Sequence, residues 1–146
     1  MRIFPLVAAV ALVGGCTSTP DTPQARDAWI RLAAVPGRPA AAYFTLAGGK
    51  KDDALVGVST PAASRAELHE SMKTDNGMMT MQPLVRVPLP AGGTVKFAPG
   101  GKHVMLFGIG DDVKPGASVP MTLTLASGAT VETSARIVAA GEDPPD

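Results

Sequence analysis

The chain is poor in the residues from which most active sites and crosslinks are built: 1 cysteine and 2 histidines stand in 146 residues, and aromatic side chains make up 4%. One cysteine excludes an internal disulfide, a thiolate zinc cluster and a CxxC redox pair. Neither sign of charge is in excess, with 13 basic against 13 acidic residues. That balance leaves no basic face of the kind phosphate neutralisation needs, which argues against nucleic acid as a partner. Long apolar runs are short here too. Ile3 to Gly15 is uncharged and mostly apolar, but its thirteen residues fall below the about 20 that a membrane-spanning helix requires. No glycine-rich phosphate loop precedes a helix, and few acidic residues lie near either histidine to complete a Ser/His/acid arrangement. The expectation is a protein that is not an enzyme.

What is present begins with an export signal. Arg2 supplies a short positive start, the apolar run follows, and residues 1–15 read as a signal peptide. Leu12-Val13-Gly14-Gly15-Cys16 resembles a bacterial lipoprotein processing site, so Cys16 is expected to carry the lipid and anchor an extracytoplasmic, periplasmic protein to a membrane surface. Multiple acyl chains hold firmly, at roughly 0.8 kcal/mol per buried CH₂. Residues 16–26, small, polar and proline-bearing, read as lipidated cysteine and flexible linker. The folded domain is expected over 27–139, and 140–146 as a disordered tail.

Within the domain, short β-branched or alternating runs are punctuated by glycine and proline. Candidate strands are 28–33, 41–47, 54–59, 65–70, 78–82, 84–88, 94–97, 103–109, 119–126 and 130–138. Period-2 alternation is clear from Val119 to Leu125 and from Thr130 to Ile137, and no stretch sustains helical periodicity. An all-β sandwich or barrel follows.

Sulfur is concentrated near the histidines. Of 7 methionines, Met72, Met78, Met79 and Met81 fall within ten residues, and Met105 lies two past His103. Residues i and i+2 of a strand share a face, so His103 and Met105 project together, as do Met79 and Met81. A turn at Asp75-Asn76-Gly77 can return the methionines to His69. Two imidazoles with two thioethers form a soft, uncharged donor set that suits Cu(I) and suits zinc, magnesium or calcium poorly. The absence of a thiolate ligand excludes a blue-copper centre. Met121 reads as core. One of Met78 and Met79 is expected to be buried, since neighbours in a strand take opposite faces. Met72, on the loop side, and Met79 are possible auxiliary sulfurs. Trp29, Tyr43 and Phe44 read as core anchors. Glu67 shares a face with His69, either to orient its ring or as a solvated carboxylate.

Several segments together resemble the PCu(A)C family of periplasmic copper chaperones: Asp27-Ala28-Trp29-Ile30-Arg31, Ala41-Ala42-Tyr43-Phe44-Thr45-Leu46, Glu67-Leu68-His69-Glu70, Met79-Thr80-Met81-Gln82-Pro83, Val87 to Gly93 and Pro99 to Leu106. The family signature is His, ten residues, Met, twenty-one residues, His-x-Met. Met81 and His103 keep the spacing of twenty-one, and His103-Val104-Met105 keeps the close. His69 and Met81 are separated by eleven residues, one more than the pattern, and the extra residue is placed in the 73–77 turn, where it lengthens a loop without flipping a strand. Were it inside the strand, Met79 would compete for the position. The resemblance implies a cupredoxin-like Greek-key β-barrel, a Cu(I) site of His69, Met81, His103 and Met105, and delivery towards the dinuclear copper site of cytochrome c oxidase or another copper-acceptor protein. Residues 139–146 do not resemble the His- and Met-rich tail with which many members bind Cu(II), so no second copper site is expected there. Copper sequestration by a resistance lipoprotein, or a structural β-sandwich lipoprotein with a methionine docking patch, are the alternatives.

Overall fold

A computed structural model describes residues 18–144. The expected signal peptide and Cys16 lie outside the described residues. Ten strands follow in order: β1 (Gln24–Arg31), β2 (Ala40–Ala47), β3 (Asp53–Ser59), β4 (Ala63–Lys73), β5 (Met79–Pro83), β6 (Val87–Leu89), β7 (Thr94–Phe97), β8 (Lys102–Ile109), β9 (Ser118–Leu125) and β10 (Thr130–Val138). Each expected strand is present, and the described residues contain no helix.

The pairing order is β5-β4-β8-β2-β1-β10-β9-β3-β6, with β7 also pairing β2. β1 and β10 run parallel, and the other pairs antiparallel. One buried cluster draws Leu68, Val104 and Leu106 from one end of this order and Leu55, Val87 and Leu89 from the other. The sheet therefore curls over on itself around a shared core, in which Phe44 stacks on Phe97 at 4.4 Å. Each large side chain so buried stabilises the fold by about 1.5–3 kcal/mol. Met121, 1% exposed, belongs to this core as expected.

Three expectations are corrected. β1 starts at Gln24, inside the expected linker, because Gln24, Ala25 and Arg26 pair through the main chain with Ala47, Leu46 and Thr45; ladder hydrogen bonds need no apolar side chain. β4 reaches Lys73, well past residue 70, because the β5 hairpin continues its ladder. The expected strand 84–88 contracts to Val87–Leu89, with the Leu84 amide spent on the Leu68 carbonyl (2.8 Å).

The aromatic anchors also divide. Between Arg26 and Trp29 the β1–β2 register shifts, and Asp27 takes φ 54°, a left-handed conformation that Asp tolerates better than most residues. Beyond this bulge Ile30 faces the core, whereas Trp29 and Tyr43 form a second cluster on the other face with Val138. Their rings lie 4.5 Å apart with the Arg31 guanidinium above both. Burial pushes the Tyr43 phenol above its ordinary range, and Arg31 partly offsets this. At the C-terminal end, Glu142 closes a turn on Ala139 and accepts from Arg31 Nε at its carbonyl, so the expected tail is a turn over its first residues.

Candidate metal centre

Register places the donors. β4 and β8 pair without a shift: Arg65 with Phe107, Glu67 with Met105, His69 with His103. β4 and β5 pair likewise: His69 with Pro83, Ser71 with Met81, Lys73 with Met79. Directly paired residues share a face, so His69, His103, Met105, Met81 and Met79 all lie on the face opposite Leu68 and Val104. The β8–β2 pairs continue it, Met105 standing beside Ala41. His69 and His103 are near-parallel with ring centroids 6.0 Å apart.

The ring nitrogens are sorted by their partners. His103 is 6% exposed, and its Nδ1 lies 3.0 Å from the Gly101 carbonyl. A carbonyl only accepts, so in the neutral ring Nδ1 carries the proton and Nε2 a lone pair. That Nε2 stands 3.4 Å from the Met81 sulfur. Two lone-pair atoms brought together with no proton between them are a donor pair for a soft cation. His69 Nε2 is 3.1 Å from the Glu67 carboxylate, which in the neutral ring leaves Nδ1 unprotonated; that atom is buried and has no hydrogen-bond partner. Such an orphan is rare in a folded protein, and a metal ion would satisfy it.

Met81 belongs to β5 and His103 to β8, so the thioether crosses above β4 to make its contact. Ser71, opposite Met81, is small enough for the crossing, and the Gly101 carbonyl accepts from the Ser71 amide at 3.0 Å. Sequence reasoning passed over both. Ser71 is findable as the residue two past His69, whereas Gly101's role depends on main-chain direction, which no side-chain pattern reports. The five residues between β4 and β5, 74–78, are closed by Thr74 and Gly77 (φ 82°). The ladder leading into them from both strands is unbroken.

Other sulfurs are placed differently from expectation. Met72 pairs with Thr80 and takes the opposite face, because it stands three residues from His69 and strand parity inverts it; its sulfur accepts from Gln82 Nε2 at 2.7 Å. Met78 and Met79 are both exposed, at 63% and 58%, rather than one of them buried. Met78 belongs to the turn and β5 is an edge strand with no layer over it. Arg65 Nε lies 3.3 Å from Glu67 and its guanidinium stacks on Phe107 at 4.3 Å, so the carboxylate beside His69 is already charge-balanced. Among the described residues no group of three or more His, Cys, Asp or Glu is placed to hold a metal ion.

The fold has solved counterparts. The copper-bound PCuAC domain from PmoF2 superposes with a TM-score of 0.66 over 84% of this chain and 97% of that one, at 22% identity. The Cu(I) form of DR1885 from Deinococcus radiodurans matches with a TM-score of 0.61 at 30% identity, over 86% and 83% of the two chains. The architecture is therefore the cupredoxin-like β fold of PCuAC domains. A lipoprotein of Leifsonia xyli subsp. xyli is 37% identical over 111 residues, 75% of this chain; the match covers 66% of that relative, just under two thirds of its length. The sequence profile described as "Putative lipoprotein LpqE-like" matches residues 24–137, and the chain belongs to this LpqE-like family.

Proposed function

We propose that this protein is an extracytoplasmic Cu(I) chaperone, anchored to a membrane through a lipid on Cys16. Cu(I) is its cargo, held by His69, Met81, His103 and Met105. The observation that carries the reading is the Met81 sulfur 3.4 Å from a His103 Nε2 whose Nδ1 proton is already committed to Gly101. The similarity to a Cu(I)-bound domain supports it, and the lipoprotein relatives support the anchor.

The geometry suits transfer by ligand exchange without turnover. His103 is held from below, whereas Met81 is 53% exposed and is free to leave first as an incoming donor attacks. Met79, on the same face one strand period away, offers an exposed auxiliary sulfur for that passage. The acceptor is a protein presenting soft donors of its own, in this reading the copper subunit of cytochrome c oxidase.

An anaerobic titration of the full chain against a Cu(I) chelator tests the site, with one Cu(I) bound per chain expected. Replacing Met81 and Met105 together by leucine should lower affinity by well over tenfold, the equivalent of about 1.4 kcal/mol. Absence of uptake, or uptake indifferent to both substitutions, refutes the proposal. Delivery is read separately: deletion of the gene should impair oxidase activity rather than merely raise copper sensitivity.

A further inference from the structure

Beyond the four donors, one chain of contacts runs along the same face: His69 Nε2 to Glu67 Oε2 at 3.1 Å, Glu67 Oε1 to Arg65 Nε at 3.3 Å, and the Arg65 guanidinium onto the Phe107 ring at 4.3 Å. We propose that Glu67 is a positioning residue that locks His69 in the Nε2–H tautomer, so that the ion is taken by Nδ1 of His69 and Nε2 of His103. The inference rests on the copper reading above and adds to it which nitrogen of each ring serves.

Three observations converge. An ionised carboxylate only accepts hydrogen bonds, so the atom facing it must be the protonated nitrogen. The other nitrogen, Nδ1, is buried without a partner, a state worth its desolvation cost of about 1–3 kcal/mol only if something occupies it. Finally, Glu67 is not a loosely solvated side chain. Its second oxygen is engaged by Arg65 at 3.3 Å, and the Arg65 guanidinium carbon lies 4.3 Å from the Phe107 ring centroid. The side chain of Glu67 is 40% exposed against 14% for His69. The carboxylate thus meets solvent more than the ring it steers. The two histidines reach the same end by different means, His103 through a main-chain carbonyl and His69 through a side chain. Only the second can be altered by substitution, and a carboxylate or carbonyl behind a ligating imidazole typically governs affinity by 10–100-fold.

The test combines long-range ¹H–¹⁵N NMR of the metal-free full chain with Cu(I) competition titration. The wild type should show His69 protonated at Nε2. Glu67→Ala should give a mixture of tautomers and an about 10–100-fold weaker Cu(I) affinity. Glu67→Gln, whose amide oxygen still accepts from the ring, should restore the Nε2–H tautomer and recover part of the affinity, which a merely structural role would not predict. A wild-type His69 protonated at Nδ1, or a Glu67→Ala protein with unchanged tautomer and affinity, overturns the inference. Failure of the wild type to take up Cu(I) instead overturns the copper reading, and the tautomer spectrum of the metal-free chain still decides the role of Glu67.

Discussion

At the residue scale, the choice between Met79 and Met81 shows what spacing can and cannot decide. Both lie an even number of residues from each other on β5, so both share the site face, and strand parity cannot separate them. The separation comes from reach: Met81 stands opposite Ser71, where a small side chain lets its sulfur cross β4 to His103, whereas Met79 stands opposite Lys73 near the hairpin turn. Met81→Leu is therefore expected to cost Cu(I) affinity by more than about tenfold, while Met79→Leu leaves equilibrium affinity nearly unchanged and slows exchange with the chelator. Because both side chains are more than half exposed, neither change should move stability by more than about 0.5 kcal/mol. Titration and stopped-flow exchange on the two variants, beside a denaturation curve, check this. Met72 illustrates the converse. Its nearness to His69 in sequence made it a candidate, yet its odd offset puts it on the other face.

At the scale of elements, the site depends on β4 and β8 pairing in one register, and that register depends on strands elsewhere being tied down. Asp53, the first residue of β3, is one such tie. Its carboxylate accepts from the Ser127 hydroxyl (2.6 Å) and from the Ser127 and Ala54 amides (3.1 and 2.8 Å), clamping β3 to the β9–β10 turn. The Ser127 hydroxyl above all, opposed by burial and helped by the two amides and Arg86, holds its pKa below the ordinary 3.8. A carboxyl with a lowered native pKa stabilises the fold above the unfolded-state value, and that contribution is lost as pH falls through the native one. Asp53→Ala is expected to lower stability by roughly 1 kcal/mol at neutral pH, with the difference from wild type shrinking as pH falls through the lowered native pKa. Urea denaturation of both proteins across that range measures it.

At the scale of the molecule, the zero net charge means that no strong overall field selects a partner, so recognition falls to the local surface around the site. That surface is the exposed β5 edge with Met78, Met79 and Met81. Since the four proposed ligands come from β4, β5 and β8, Cu(I) would hold three strands together and bind only the folded chain. With free Cu(I) at about 100 times its dissociation constant, linkage adds about 2.7 kcal/mol, which for a chain of this size corresponds to a rise in Tm of about 5–10 °C. A thermal melt with and without Cu(I) under anaerobic conditions reads this directly, and the gain should fall by about half or more in the Met81→Leu, Met105→Leu double variant.

The sequence by itself determined the elements and their faces. Ten short strands, the turns between them and the i, i+2 pairing of His103 with Met105 are local properties, set by side-chain alternation and by glycine and proline at the breaks. The soft donor chemistry was equally visible, since it depends on residue type alone. Only the tertiary structure decided what depends on neighbours distant in the chain. It set His69 opposite His103, brought the Met81 sulfur across β4, paired Trp29 with Tyr43 on the face away from Phe44, and left the His69 Nδ1 buried without a partner. Those are outcomes of register and main-chain hydrogen bonding, which many sequences with the same alternation could satisfy differently. A pattern of period two states which face a residue takes, and only the pairing of strands states what it meets there.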